Sequence, residues 1–181
     1  RLSGWNVCPM ATLGCKAACL NTAGRGGIAA GGILTEELVA SGERTNAIQE
    51  ARKRRTRAFF ETRAVFMRIL VQDIEKAIRL AADAGYVPVF RLNGTSDIRW
   101  ETVDCVRGGK PFRNVMDAFP DVQFYDYTKL PNRRNLPSNY HLTFSLADGN
   151  EVQAMTALDA GMNVAAVFRN KAVVKTYESS G

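Results

Sequence analysis

The spacing of apolar positions changes character part-way along the chain. Phe59, Phe66, Ile69, Leu70, Ile74, Ala77, Ile78 and Ala81 recur largely at steps of three and four, the stripe of an amphipathic helix. Asn46 with Gln49 three residues later has the form of a capping box, and Gly85 sits where a C′ residue belongs. The pattern therefore predicts helix across 46–85. Roughly forty residues at 1.5 Å each would span ~60 Å, so a break is expected near the arginine-rich stretch. Thr35 followed by Glu36 and Glu37 reads as an N-cap with first-turn acids, opening a short helix that stops at Gly42. Upstream, Gly4, Pro9, Gly14, Gly24, Gly26, Gly27, Gly31 and Gly32 forbid a long regular element, and residues 1–34 are expected to be a loop rich in cysteine and glycine.

Past Gly85 the pattern turns strand-like. Tyr86–Leu92, Val122–Tyr127, Tyr140–Ser145 and Asn163–Phe168 are short runs rich in Val, Phe and Tyr. Asn114–Phe119 reads as a short helix before Pro120, and Asn150–Ala160 as a helix with Asn150 as N-cap and Gly161 beyond its end. Strands separated by helices predict an α/β protein whose parallel strands form an open sheet or a partial (β/α) barrel. Each strand run is followed by polar residues: Arg91, Asn93, Gly94, Thr95, Ser96 and Asp97 after the first, and Asp126, Thr128 and Lys129 at the second. Thr143 and Ser145 close the third, and Arg169 and Asn170 follow the fourth. Ligands of parallel sheets sit at the carboxyl ends of the strands, where several strands converge. That rim is the expected site.

Composition changes this picture little. The chain has 181 residues, 46% apolar and 23% charged, which fits one globular domain across 1–181 and excludes disordered and collagenous classes. It opens on Arg and closes on Glu178–Gly181, so it is expected to be truncated at one or both ends. No apolar run approaches ~18 residues and no secretory pattern opens the chain, so neither a membrane span nor export is expected. Charge matters more. The net charge is +6, and residues 44–68 carry eight basic residues against two acids. Arg52, Lys53, Arg54, Arg55 and Arg57 form the densest part, either a solvated helix face or a patch for nucleic-acid phosphates.

The strongest chemical signal is Cys8, Cys15 and Cys19 within twelve residues, with the fourth cysteine, Cys105, far away. Without a secretory signal such a group favours a metal over disulfide bridges. Thiolates are soft ligands for iron–sulfur clusters and zinc, and Cys15 and Cys19, four apart, share a face if the second part is helical. Three ligands leave one iron of a 4Fe–4S cluster open to substrate. Cys105 or the single histidine, His141, could instead complete four ligands of a structural zinc. The plainer alternative is three buried free cysteines. At the rim, the turn Arg91–Asp97 could cradle an anion or a cofactor edge with backbone N–H groups, or be an ordinary βα turn. Tyr125 and Tyr127 are read equally as packing or ligand-touching residues, and His141, inside a strand, as a satisfied core residue.

Five blocks, Cys8–Gly26, Arg91–Glu101, Phe119–Lys129, Leu136–Ser145 and Gly161–Phe168, resemble the phage family named after mycobacteriophage gene product 88. The resemblance covers most of residues 5–169 and brings no reaction with it; it implies a phage protein working in the cytoplasm of a bacterial host. A more distant similarity is to radical S-adenosylmethionine enzymes, which join three cluster cysteines to a partial α/β barrel. It implies a cluster on Cys8, Cys15 and Cys19, with the methionine moiety of S-adenosylmethionine at Gly94–Asp97. The spacing here, six and three intervening residues, differs from the usual CxxxCxxC. The expectation is thus an iron–sulfur protein, a radical enzyme of unassigned substrate. In the alternative it is a zinc-stabilised nucleic-acid-binding protein using Arg52–Arg57, and in a third reading a cluster-bearing structural protein without turnover.

Overall fold

A computed structural model describes residues 3–168; Arg169 and Asn170 of the predicted rim lie outside the described residues. The first segment carries a short helix α1 (Leu13–Ala17), two 3-10 turns, and a hairpin of β1 (Ile28–Ala29) and β2 (Gly32–Ile33). Helix α2 (Glu36–Ser41) is capped by Thr35, whose side chain accepts from Leu38 N, and ends at Gly42 in the left-handed region. The predicted long helix is two: α3 (Ala47–Glu61) and α4 (Arg63–Asp83). The break falls at Thr62, beyond the arginine run, where φ −135° and ψ 49° leave the helical region. Breaking there lets Phe59 of α3 and Met67, Val71 and Ile74 of α4 enter one core.

Asn46 caps α3 as predicted, its Oδ1 accepting from Gln49 N at 2.8 Å. The Gln49 side chain turns instead to the glycine segment, donating to Gly26 O at 2.8 Å and accepting from Asn21 Nδ2 at 3.1 Å. That segment packs so closely that a Cβ on Gly27 would stand 1.9 Å from Thr22 O, which accounts for glycine there.

The second half holds a four-stranded sheet in chain order: β3 (Val89–Phe90), β6 (Gln123–Thr128), β7 (Tyr140–Ser145) and β8 (Asn163–Ala165). Every neighbouring pair is parallel. β3 is much shorter than the predicted Tyr86–Leu92, and β8 is shorter than Asn163–Phe168. A second hairpin, β4 (Cys105–Arg107) and β5 (Lys110–Phe112), precedes helix α5 (Val115–Ala118); helix α6 (Glu151–Asp159) joins β7 to β8. Helices do not alternate with strands throughout: β6 runs to β7 through an irregular segment containing Pro131 and Pro137. Proline removes a backbone donor and clashes with a preceding carbonyl, so that segment does not build a helix.

The core lies on one face of the sheet. Along β6 and β7, Phe124, Asp126, Thr128, Tyr140, Leu142 and Phe144 are buried while their alternate neighbours are exposed or half-buried. Phe124, Tyr140 and Leu142 pack with Trp100, Val115, Met116 and the α3–α4 residues, while Phe144 packs with Ala154 and Ala157 of α6. The period-two alternation puts His141 on the other face. It is exposed, its Nε2 3.1 Å from Asn163 Nδ2, and is not the satisfied core residue expected from its place inside a strand. Among the described residues no helix is long and apolar enough to cross a membrane.

Candidate functional site

The cysteine segment docks onto the carboxyl ends of the strands at two points. Past β3, Asp97 N donates to Val7 O at 2.7 Å and the Cys8 thiol reaches Thr95 O at 3.3 Å. Past β7, Asp148 accepts from the Thr12 hydroxyl and, at 3.3 Å, from Gly14 N. Thr12 in turn caps α1 by accepting from Cys15 N at 3.1 Å. The Asp148 carboxylate therefore fixes the start of the helix that carries Cys15, and these two bonds hold its pKa below the ordinary aspartate range, Thr12 contributing most.

Cys15 and Cys19 do not share one helix face. α1 ends at Ala17, and Cys19 turns extended (φ −63°, ψ 128°) to start a 3-10 turn, its sulfur accepting from Asn21 N at 3.5 Å. A five-residue helix with no buried side chain has no packing to prolong it. All three cysteines are half-buried and line one pocket of about 540 Å³ together with Lys16, Arg52, Lys53 and Thr95. The Cys8 thiol is pushed up to about 11, chiefly by burial, with Asp97 and the other two cysteines adding to it and Lys129 opposing. Cys105 is buried in the core, away from this pocket, its thiol also raised by burial.

Of the rim residues expected to bind a cofactor, only Thr95 lines the cysteine pocket. The others form the structure behind it. The Asp97 carboxylate accepts from the Thr128 hydroxyl and from Lys129 N, both at 2.8 Å, tying the turn after β3 to the end of β6. Asn93 Oδ1 accepts from Ser96 Oγ, Ile98 N and Trp100 Nε1. Arg91 donates to Asn93 O at 2.9 Å and to Gly94 O at 3.4 Å. Asp126, 1% exposed, accepts from Asn93 N at 2.7 Å and Tyr140 OH at 2.9 Å. Burial pushes its carboxyl up to about 6 against the pull of these bonds and of Arg133 and Arg91.

Arg133 completes that network and was not legible as a site residue. It comes from the irregular β6–β7 segment, is 4% exposed, and pairs with Glu101 through Nε at 3.0 Å and through Nη2, which also reaches Tyr140 OH at 3.2 Å. Its Nη1 is buried without a hydrogen bond, 3.6 Å from Asp97 Oδ1. Asp148 and Thr12 were missed as well; an acid past a strand end opposite a Thr before a short helix was the only signal available.

The basic run divides. Arg52 donates to Asn21 O and Oδ1, Lys53 pairs with Glu50 at 3.1 Å, and Arg57 reaches Ser3 O at 3.5 Å. Arg54 and Arg55 stay exposed. The Arg52–Arg57 run is therefore partly a clamp on the first segment.

A family model described as gene product 88 matches residues 2–179. The chain belongs to the gene product 88 family. Neither a curated protein nor a solved structure matches it. In this gene product 88 protein three thiols, the donor type that soft metals prefer, are among the residues lining one pocket. Among the described residues, however, no three His, Cys, Asp or Glu side chains stand as a metal-holding group.

Proposed function

We propose that Cys8, Cys15 and Cys19 hold a soft-metal centre, an iron–sulfur cluster of the 4Fe–4S type, at the carboxyl-terminal rim of the parallel sheet. The observation that carries this reading is the double docking of the cysteine segment, to Thr95 and Asp97 after β3 and to Asp148 after β7, which puts all three thiols in one pocket. A cluster on three thiolates would supply one-electron chemistry and an open iron. The chain's own residues have defined tasks around it. Thr95 O accepts a hydrogen bond from the Cys8 thiol while it is neutral, and the thiol proton must leave when a metal binds. Lys129 favours the resulting thiolate, and Asp148 orients the helix bearing Cys15.

An enzymatic role of the radical S-adenosylmethionine kind rests on the distant resemblance. On that reading the cofactor meets the pocket at Thr95 in the Gly94–Asp97 turn, with Arg91, Asn93, Ser96, Asp126 and Lys129 as its supporting frame. A second reading, a zinc-stabilised nucleic-acid-binding protein, draws on Arg54 and Arg55, which are exposed on α3. Metal analysis of protein purified without oxygen separates the two. Iron with acid-labile sulfide supports the cluster; colourless protein with stoichiometric zinc replaces it by the second reading.

A further inference from the structure

Parallel sheets are ordinarily covered on both faces. Here the face opposite the core has no covering element among the described residues. Alternation along β6 brings Tyr125 and Tyr127 onto it, each 38% exposed. Register places His141 beside Tyr125 and Thr143 beside Tyr127, and Asn163 joins from β8. Arg91, just past β3, lies over the Tyr127 ring at 4.9 Å from its centroid.

We infer that this open face binds single-stranded nucleic acid, with bases stacked on Tyr125 and Tyr127. The two rings are two residues apart on one strand, about 6.6 Å along it, so each offers a separate platform. Every base has a π-face, and aromatic side chains on an open sheet are the usual way to hold unpaired bases. The Arg91 guanidinium can stack on a base as well as on Tyr127. His141, Asn163 and Gln123 supply donors and acceptors for base edges. Charge agrees. The one acid in β3, β6, β7 and β8 is Asp126, which points into the core, so these strands show a polyanion no carboxylate, and Arg91 over Tyr127 sets a cation on the face. The inference stands apart from the metal: it uses neither the cysteines nor the Arg54–Arg55 surface of α3.

The test is fluorescence anisotropy of a labelled oligothymidylate at low salt. Wild-type protein should bind it saturably, and an unlabelled duplex of equal length should compete poorly. Tyr125→Ala and Tyr127→Ala should each weaken binding by roughly 5- to 150-fold, whereas Tyr125→Phe and Tyr127→Phe keep it within about threefold, since stacking needs the ring rather than the hydroxyl. His141→Glu leaves both tyrosines in place, sets a carboxylate on the face, and should also weaken binding. This last variant decides the matter if an alanine variant melts early. Undetectable binding by wild type, equal competition by duplex, or wild-type affinity in His141→Glu would each overturn the inference.

Discussion

Replacing Asp97 by alanine removes the carboxylate that ties the turn after β3 to the end of β6. Two hydrogen bonds disappear, from the Thr128 hydroxyl and Lys129 N, both at 2.8 Å. Bonds to a charged group contribute about 1.5–3 kcal/mol each. The Arg133 guanidinium is left worse off, because its Nη1 has no hydrogen bond and only the Asp97 carboxylate at 3.6 Å to face. Arg133 keeps its pair with Glu101, so it is not left as a buried charge without a partner. The two bonds share one network, so the expected loss is about 3–5 kcal/mol in total. For a chain of this size that lowers the melting temperature by about 6–20 °C. The Asp97 backbone N–H keeps its bond to Val7 O, so metal content should survive if the protein is studied below its melting point. Urea titration followed by circular dichroism, with calorimetry beside it, measures the loss. A loss below about 1 kcal/mol with an unchanged m-value would refute the structural role assigned to Asp97.

Asp126 and Asp148 give two further outcomes. The folded protein holds the Asp126 proton more tightly than an unfolded chain, since burial lifts its pKa to about 6. Its contribution to stability is therefore complete below the ordinary aspartate range and is lost as pH rises through about 6, a change of about 3 kcal/mol. Urea titrations between pH 4 and 7 should show that fall in wild type relative to Asp126→Asn, and parallel curves for the two proteins would contradict it. Asp148→Ala should leave the core intact while hydrogen exchange quickens at Gly14 and Cys15 N–H, whose bonds run to Asp148 and to Thr12. Unchanged exchange there would show that the carboxylate does not hold the segment.

Much of this architecture is legible in the sequence because it depends on local rules. The three-and-four spacing from Phe59 to Ala81 yields α3 and α4, Asn46 marks the start of α3 and Thr35 that of α2, and Gly85, with φ +73°, marks the end of α4. The Tyr140, Leu142 and Phe144 alternation carried the information that His141 faces outward, although a lone histidine in an apolar run invites a core assignment. The β4–β5 hairpin was not among the predicted elements, although Gly108–Gly109 between Arg107 and Lys110 is a two-residue hairpin signature. What stayed hidden depends on tertiary pairing. Arg133 sits between two prolines in an irregular segment, and nothing local says that it is buried against Glu101 and Tyr140. Asn93, Asp97 and Asp126 were rightly gathered at the strand ends, but polar residues converging at a rim look the same whether they wait for a ligand or hold one another. The cysteines were legible as a group; their docking through Asp148, 134 residues from Gly14, was not.

The central claim is that the three rim cysteines, and not Cys105, make the metal centre. The direct measurement is iron and acid-labile sulfide per chain in anaerobically purified Cys8→Ser, Cys15→Ser, Cys19→Ser and Cys105→Ser proteins, read against wild type. The account predicts a brown wild type, loss of most iron and sulfide in each of the first three, and near wild-type content in Cys105→Ser. Iron retained after replacing any one of the three, or lost only with Cys105, would contradict it.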